Sequence, residues 1–420
     1  MKKTIKTLTL FLLLFGSFNV FASNGFEDYN LALLDDGKFV PFAQVALATE
    51  KKPEIKKTEQ KPAEISKEEK KLEEDTQKKF EEWKNVFTKK ALTQGITKET
   101  IDKVFARIYY SPKIISHDKN QPEVKFTFDK YKSRMINDYR INQGLIYYNK
   151  NRELIDKIAG EYRVQARFIV ALWGLETSYG YNIGNHFVPK VLATLAFEGR
   201  RRNYFESELI TALKIIQNGM IDIEQFNGSW AGAFGQSQFM PNTYFAYAKD
   251  YNKDGKVDLY NTPEDIFASI ANYLRFLGWD NESTWGRKVR LPDNFDLKAN
   301  NKQIKAITEW RAMGVLKDDG KKLPRTIQAA RMIIFDEDKN NAFITYDNFK
   351  LTKRWNNSDS FATVVGLLSD AIENKDKEEQ KQKKEQAKLE AEKKKAEAKI
   401  ASEKAKEGSK KPTEPTKNSK

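Results

Sequence analysis

The sequence predicts a mainly α-helical fold with a small β element, an α+β arrangement, and three observations carry that expectation. Phe80, Trp83, Val86 and Phe87 recur at the spacing of one helix face. Phe168 to Leu175 is an unbroken apolar run, so its helix is expected to be buried on every side. Strand-like alternation is confined to short late pieces, Met332 to Phe335 and Ala342 to Thr345. No internal repeat of solenoid period is visible.

Taken in order, residues 1–22 read as a secretory signal. Lys2, Lys3 and Lys6 precede the apolar run Leu8 to Phe15, and Val20-Phe21-Ala22 offers a cleavage site after Ala22. The run is short for a membrane span. Residues 23–79 form an N-terminal extension and charged linker, in which lysine and glutamate nearly balance and helix is expected near Lys70 to Phe80. Residues 80–372 are the folded region. Within it Leu154, Ile155 and Ile158 mark one helix, and Asp265 to Leu277 another, with Pro263 just before it and Gly278 at its end. Residues 373–420 are a Lys/Glu/Ala-rich tail without an aromatic residue or an apolar stripe. Its helical composition is expected to stay solvated, ending before Pro412 and Pro415.

Composition removes several kinds of chemistry. The chain has 420 residues, no cysteine and two histidines, His117 and His186. Disulfides, thiolate metal sites, iron–sulfur clusters, Cys nucleophiles and a lipid-modified cysteine are excluded. Carboxylates, hydroxyls, amides, arginines and aromatics remain. The formal net charge of +14 fits nucleic acid, an acidic surface or an acidic polymer. The folded region carries most of that excess and the tail much of the rest.

Glu176 is the most informative residue. It follows the apolar run directly, and Thr177, Ser178 and Gly180 end the helix just beyond it. Partial desolvation favours the protonated form of such a carboxyl, which a general acid needs near neutral pH. A buried glutamate paired with an arginine such as Arg201 is the equal alternative on this segment alone. A second segment, Asn227 to Pro241, places Gly228, Gly232 and Gly235 among Ser229, Gln236 and Gln238. Such a loop suits a hydroxyl-rich ligand, or else packs as a turn between helices.

Together these segments resemble a known family. Glu-Thr-Ser-x-Gly after Trp-Gly-Leu, then Gly-Ser-Trp-Ala-Gly-Ala-Phe-Gly-Gln-Ser-Gln-Phe-Met-Pro, is similar to the lytic murein transglycosylase B family, glycoside hydrolase family 103 or SLT domain 2. Leu192 to Phe197, Gly199-Arg-Arg, Ser269 to Leu274, Gly278-Trp279 and Trp355 to Ser358 extend the likeness over residues 80–372. The resemblance implies a lysozyme-like core at about residues 150–285. It implies cleavage of the β-1,4 bond between N-acetylmuramic acid and N-acetylglucosamine in peptidoglycan, without water, leaving 1,6-anhydro ends. Glu176 would be the single acid/base, so the second carboxylate of ordinary glycosidases is not needed. Ser229, Gln238 and Met240 match cleft-lining positions. Asn356 matches a residue at the cleaved sugar, and Tyr131 and Tyr273 match aromatic or hydroxyl groups of the cleft. Arg200 and Arg201 match a pair facing lactyl or peptide carboxylates. Trp355 and Phe361 stand where the family often has Tyr, which keeps the ring and loses the hydroxyl. For Tyr273, Trp355 and Phe361 ordinary core packing is the competing role.

Asp250, Asn252, Asp254 and Asp258 stand at positions 1, 3, 5 and 9 of a loop whose position 6 is Gly255. That is the opening of an EF-hand calcium loop, with Lys256 offering a backbone carbonyl. Asn261 occupies the place of the closing Glu. By resemblance Asp265 closes a longer loop spanning residues 250–265. Weak structural calcium is favoured over an ion-free turn, and no cofactor is expected for the chemistry itself. The expected partners are peptidoglycan glycan strands and other cell wall enzymes, with no nucleic acid, and the expected state is a monomer, soluble in the periplasm. A hydrolytic muramidase and a non-catalytic wall-binding protein are the competing functions.

Overall fold

The computed structural model describes residues 31–33, 39–41, 67–119 and 126–408. The signal segment and the final residues of the tail lie outside these. The chain divides into two units, residues 1–70 and 71–420. In the first, β1 (Leu31–Leu33) and β2 (Phe39–Pro41) pair antiparallel, with Ala32 opposite Val40. Everything else described here belongs to the second, which α1 (Lys67–Thr93) leads into.

Its helices follow the apolar spacing of the sequence. α1 is succeeded by α2 (Lys98–Phe105), α3 (Pro112–Lys119), α4 (Phe128–Met135), α5 (Asp138–Lys150) and α6 (Arg152–Tyr162). Thr97 caps α2 and Asn137 caps α5, each side chain accepting from a first-turn amide. α7 (Ala166–Thr177) is the axis of the first core. Phe168 through Leu175 are all buried, because α5, α6, α11 (Pro263–Leu277) and the start of α15 (Asp359–Gly408) surround it. Arg167 ties its first turn to Asp370 and Glu373 of α15, at 2.6 and 2.9 Å.

A second core joins α1, α2, α8 (Val188–Glu198) and α9 (Arg202–Gln217). Phe80, Trp83 and Phe87 lie inside it while Val86 is exposed, so the face expected of α1 is buried at three of its four positions. A short pair, β3 (His186–Phe187) with β4 (Asn227–Gly228), and α10 (Pro241–Tyr247) frame the loop between the two cores.

The β element is larger than the sequence suggested. Five antiparallel strands lie in the order β6-β8-β9-β5-β7: β5 (Gly286–Arg290), β6 (Ile304–Ala306), β7 (Leu316–Lys317), β8 (Ala329–Ile334) and β9 (Ala342–Thr345). β9 coincides with one expected stretch and β8 overlaps the other, starting three residues earlier and ending one earlier, and Met332 faces Ile344 across them. β5 and β6 escaped notice because Gly286-Arg-Lys-Val-Arg and Ile304-Lys-Ala are short and basic, and pair only once β8 and β9 supply neighbours. Two short helices, α12 (Leu297–Asn300) and α13 (Ile307–Ala312), flank β6, and Ile307 and Trp310 of α13 are buried in one core with residues of β5, β8 and β9. α14 (Asp347–Trp355) then returns the chain to the first core.

α15 begins in that core and continues as one helix through the tail. From Lys381 to Ala401 it is exposed throughout. Its outer part carries lysine, glutamate and alanine with no apolar stripe, so it has no face to bury.

Candidate active site

Glu176 sits in the last turn of α7 and is half-buried. Ser178 follows in the left-handed region at φ 52° and ends the helix. Tyr179, also at positive φ, folds back onto the helix it has just left. Gly174 makes this possible: a Cβ there would lie 2.5 Å from the Tyr179 ring. The Tyr179 hydroxyl then donates to the Arg140 carbonyl at 2.9 Å, and Arg140 reaches Ser178 Oγ at 3.4 Å. Burial of this guanidinium pulls its pKa down. Arg140 thus meets the chain two residues beyond Glu176, and its sequence context, a polar position in α5, carries no signal of the contact.

The loop from Asn227 to Met240 is bolted to this helix end. Trp173 Nε1 donates to Gln236 Oε1 at 2.7 Å, and Thr177 Oγ1 donates to the Gln236 carbonyl at 3.0 Å. Gln236 Nε2 donates onward to the Tyr260 carbonyl at 2.7 Å. Gly180, at φ +90°, lies so close that a Cβ would stand 2.4 Å from Gln236 Oε1. Gln236 is therefore the clamp of the loop and not an open donor. Ser229 Oγ donates to the Ala233 carbonyl at 3.1 Å. Gln238 adopts φ 48°, and its amide donates to the carbonyls of Ile183 and Gly235, both at 3.0 Å. Met240 caps the start of α10 and packs on the second core.

From the other side, Trp355 at the end of α14 donates its Nε1–H to Glu176 Oε1 at 2.8 Å. An indole N–H donates only, so this contact holds the carboxyl side chain in one orientation. Asn356 follows at the C-cap of α14. Tyr273 stacks with Tyr247 and meets Phe239 and Trp355, at ring separations of 5.0, 5.6 and 5.3 Å. Glu176, Trp355, Phe239 and Tyr273 thus form one continuous series. The sequence suggested Trp355 as a stacking ring and missed its hydrogen bond, which requires α14 and α7 to meet across 179 residues of chain.

Other expected residues lie elsewhere. Tyr131 is 5 % exposed and Phe361 3 % exposed, both inside the first core. Phe361 takes the packing role that competed for it. Arg200 and Arg201 both pair with Asp118 of α3, and Arg200 also binds Glu198 at 2.7 Å. Arg201 is thus engaged by Asp118 at 3.1 Å. Beside them His117 stacks on Trp230 of the loop at 6.2 Å.

The acidic loop is pre-shaped by its own amides. Asp250 accepts from the amides of Asp254 and Gly255, at 3.1 and 2.9 Å. Asn252 Oδ1 accepts from Asp254 N and Asp254 Oδ1 from Lys256 N. Asp265 is fully buried and straps the loop's two ends, accepting from Tyr251 N at 2.8 Å and Asp258 N at 2.9 Å. Burial pushes its carboxyl pKa up. Among the described residues no three or more His, Cys, Asp or Glu side chains converge as a metal cluster. Asn252 Nδ2 donates to Asp254 Oδ2 at 3.0 Å, so Asp250, Asn252 and Asp254 hold one another and the loop backbone in a ring of oxygen-bearing side chains.

The family described as "Transglycosylase SLT domain" matches residues 79–370. The chain belongs to this family. Within it, the chain is 29 % identical over 252 residues to membrane-bound lytic murein transglycosylase B of Escherichia coli (strain K12), covering 58 % of this chain and 66 % of that relative. It is similar to SltB3 from Pseudomonas aeruginosa, solved in complex with NAG-anhNAM-pentapeptide, at 37 % identity and a TM-score of 0.65, over 70 % of this chain and 79 % of that one. The Escherichia coli lytic transglycosylase Slt35, solved in complex with calcium, shares the fold at 24 % identity and a TM-score of 0.60, over 69 % and 92 % of the two chains. The SLT region thus contains both helical cores, the five-stranded sheet, α14 and the start of α15.

Proposed function

We propose that the chain is a peptidoglycan lytic transglycosylase that cleaves the β-1,4 bond between N-acetylmuramic acid and N-acetylglucosamine and leaves 1,6-anhydro-N-acetylmuramic acid ends. The observation that carries this reading is Glu176, placed at the end of a buried helix and hydrogen-bonded by Trp355 beside a polar glycine-rich loop. Family membership and the sugar–peptide complex of SltB3 support it. Glu176 gives its proton to the leaving glycosidic oxygen as the C1–O bond breaks. The resulting carboxylate takes the proton of the muramyl C6 hydroxyl, whose oxygen closes on C1. No water is consumed, and the nucleophile is already part of the substrate, so no entropy is spent in recruiting it.

Ser229, Gln238, Met240, Tyr273 and Asn356 line the sugar-binding cleft in this reading, with Tyr131 beneath it and Arg200 and Arg201 at its edge. Purified murein sacculi test it. Glu176→Gln is expected to abolish release of muropeptides, and parent products are expected to be one water lighter than those of a muramidase. Digestion by Glu176→Gln at the parent rate, or reducing muramic acid ends from the parent, refutes the assignment.

Calcium is proposed as a structural ligand of residues 250–265. Asp250, Asn252, Asp254 and the Lys256 carbonyl would hold it, with Asp265 closing the loop, and it would add stability and no chemistry. The domain limits proposed are those of the sequence: a signal over 1–22, a linker to 79, a catalytic region over 80–372 and a solvated tail. Export to the periplasm is part of this reading. Among the described residues no helix is long and apolar enough to cross a membrane.

A further inference from the structure

Immediately beyond Asn356 the surface turns inward into a concavity of about 320 Å³. Lys302, Arg331, Lys350, Lys353 and Arg354 line it, with Asp359 as the one carboxylate. The cations come from three places: the turn before β6, the strand β8 and one face of α14. Spacings of three and four residues put Lys350, Lys353 and Arg354 together on that face.

Their partners do not balance them. Asp359 serves Lys353 at 2.8 Å and Lys302 at 3.8 Å, and Asp347 serves Lys350 at 2.7 Å. Among the described residues no carboxylate pairs with Arg331 or Arg354. Five cations against the two carboxylates Asp359 and Asp347 leave a local positive field that draws an anion. Guanidinium forks match a carboxylate in two-point contact. The position matters as much as the charge. α14 carries three of the cations and ends at Trp355, the residue bonded to Glu176. Arg200 and Arg201, the arginines expected to meet carboxylates, are already held by Asp118 and Glu198.

We infer that this pocket between α14, β8 and the start of α15 is a binding site for the carboxylates of the peptide arm borne by the glycan strand in the cleft. The inference rests on the transglycosylase reading, since that reading supplies the strand. The amide link to the peptide removes the charge of each muramyl lactyl carboxyl, so in a peptide-bearing strand the peptide arm's own carboxylates bring the anion. Anchoring it here would fix the register of the strand against Glu176 through a single rigid helix.

The test compares peptide-bearing glycan strands with the same strands stripped of peptide by an amidase and with the freed lactyl carboxyls then converted to amides, both cut by the full-length protein. The parent is expected to show a higher kcat/KM on peptide-bearing strands. The double variant Arg331→Glu/Arg354→Glu is expected to lower that preference about tenfold, through KM on the peptide-bearing strands. Lys350→Glu/Arg354→Glu, confined to α14, makes the same prediction should Arg331 be needed for folding. An unchanged preference, or an equal fall on both substrates, overturns the pocket while leaving the transglycosylase reading standing. Absence of anhydro products from both substrates with the parent overturns both.

Discussion

At the residue scale, the contact of Trp355 with Glu176 is made by a ring that can only donate. A tyrosine hydroxyl both donates and accepts, whereas the indole N–H only donates and never titrates. Trp355→Phe keeps a ring against Phe239 and Tyr273 and removes the donor alone. A hydrogen bond to a charged group is worth about 1.5–3 kcal/mol. Steady-state cleavage should therefore show kcat reduced roughly tenfold or more with KM nearly constant, and a KM-only change would refute the positioning role. Glu208, deep in α9, gives a pH prediction. It is 3 % exposed and accepts from Asn242 N at 2.8 Å, and burial raises its carboxyl pKa above the ordinary 4.5. The folded state therefore binds this proton more tightly than the unfolded chain. Its contribution to stability grows as pH falls from neutrality through the folded pKa, and is complete below about 4.5. Glu208→Gln should flatten that part of the stability profile in denaturant titrations, and an unchanged slope would exclude Glu208 as its source.

At the scale of elements, the decisive joint is between α7 and the loop over residues 227–240. Gln236 satisfies Trp173 and Tyr260 at once, and Gly180 leaves it room. Gly180→Ala puts a Cβ into the Gln236 amide at a backbone angle that L residues rarely take. A cost of about 1–3 kcal/mol is expected, read as a lower thermal midpoint together with lost activity, because the loop moves relative to Glu176. The loop over residues 250–265 is a second joint, since Asp265 straps it to the start of α11. Millimolar calcium is expected to raise the thermal midpoint of the parent and not of Asp250→Ala/Asp254→Ala. No shift in the parent removes the proposed ion. The sheet shows what alternation misses: β8 and β9 announced themselves by apolar residues, while β5 and β6 are strands only because their neighbours offer unpaired edges.

For the whole molecule, two helical cores meet along the cleft, and α14 and the first turns of α15 bring the far end of the chain back to α7. Beyond Gln380 the long helix touches little. Its exposed stretch from Lys381 to Ala401 extends about 30 Å at 1.5 Å per residue. Truncation after Gln380 is therefore expected to change the thermal midpoint by less than about 2 °C, with cleavage of soluble glycan strands retained. A large loss of stability would show that the tail packs on the body. The excess positive charge is divided between this tail and a catalytic region that meets an anionic polymer, which agrees with a wall substrate better than with nucleic acid.

By itself the sequence determined the helical class, the apolar helix that carries Glu176, the glycine-rich loop and the acidic loop. These are local properties: periodicity, turn chemistry and the composition of short segments are written in consecutive residues. It also carried the family motifs, because those motifs are contiguous. Only the tertiary structure decided which groups meet. Trp355 reaches Glu176, Asp118 takes up Arg200 and Arg201, Gln236 closes the loop, and Tyr131 and Phe361 go into the core. Each of these pairings joins segments far apart in the chain, and a contact made by packing leaves no spacing in the sequence to read.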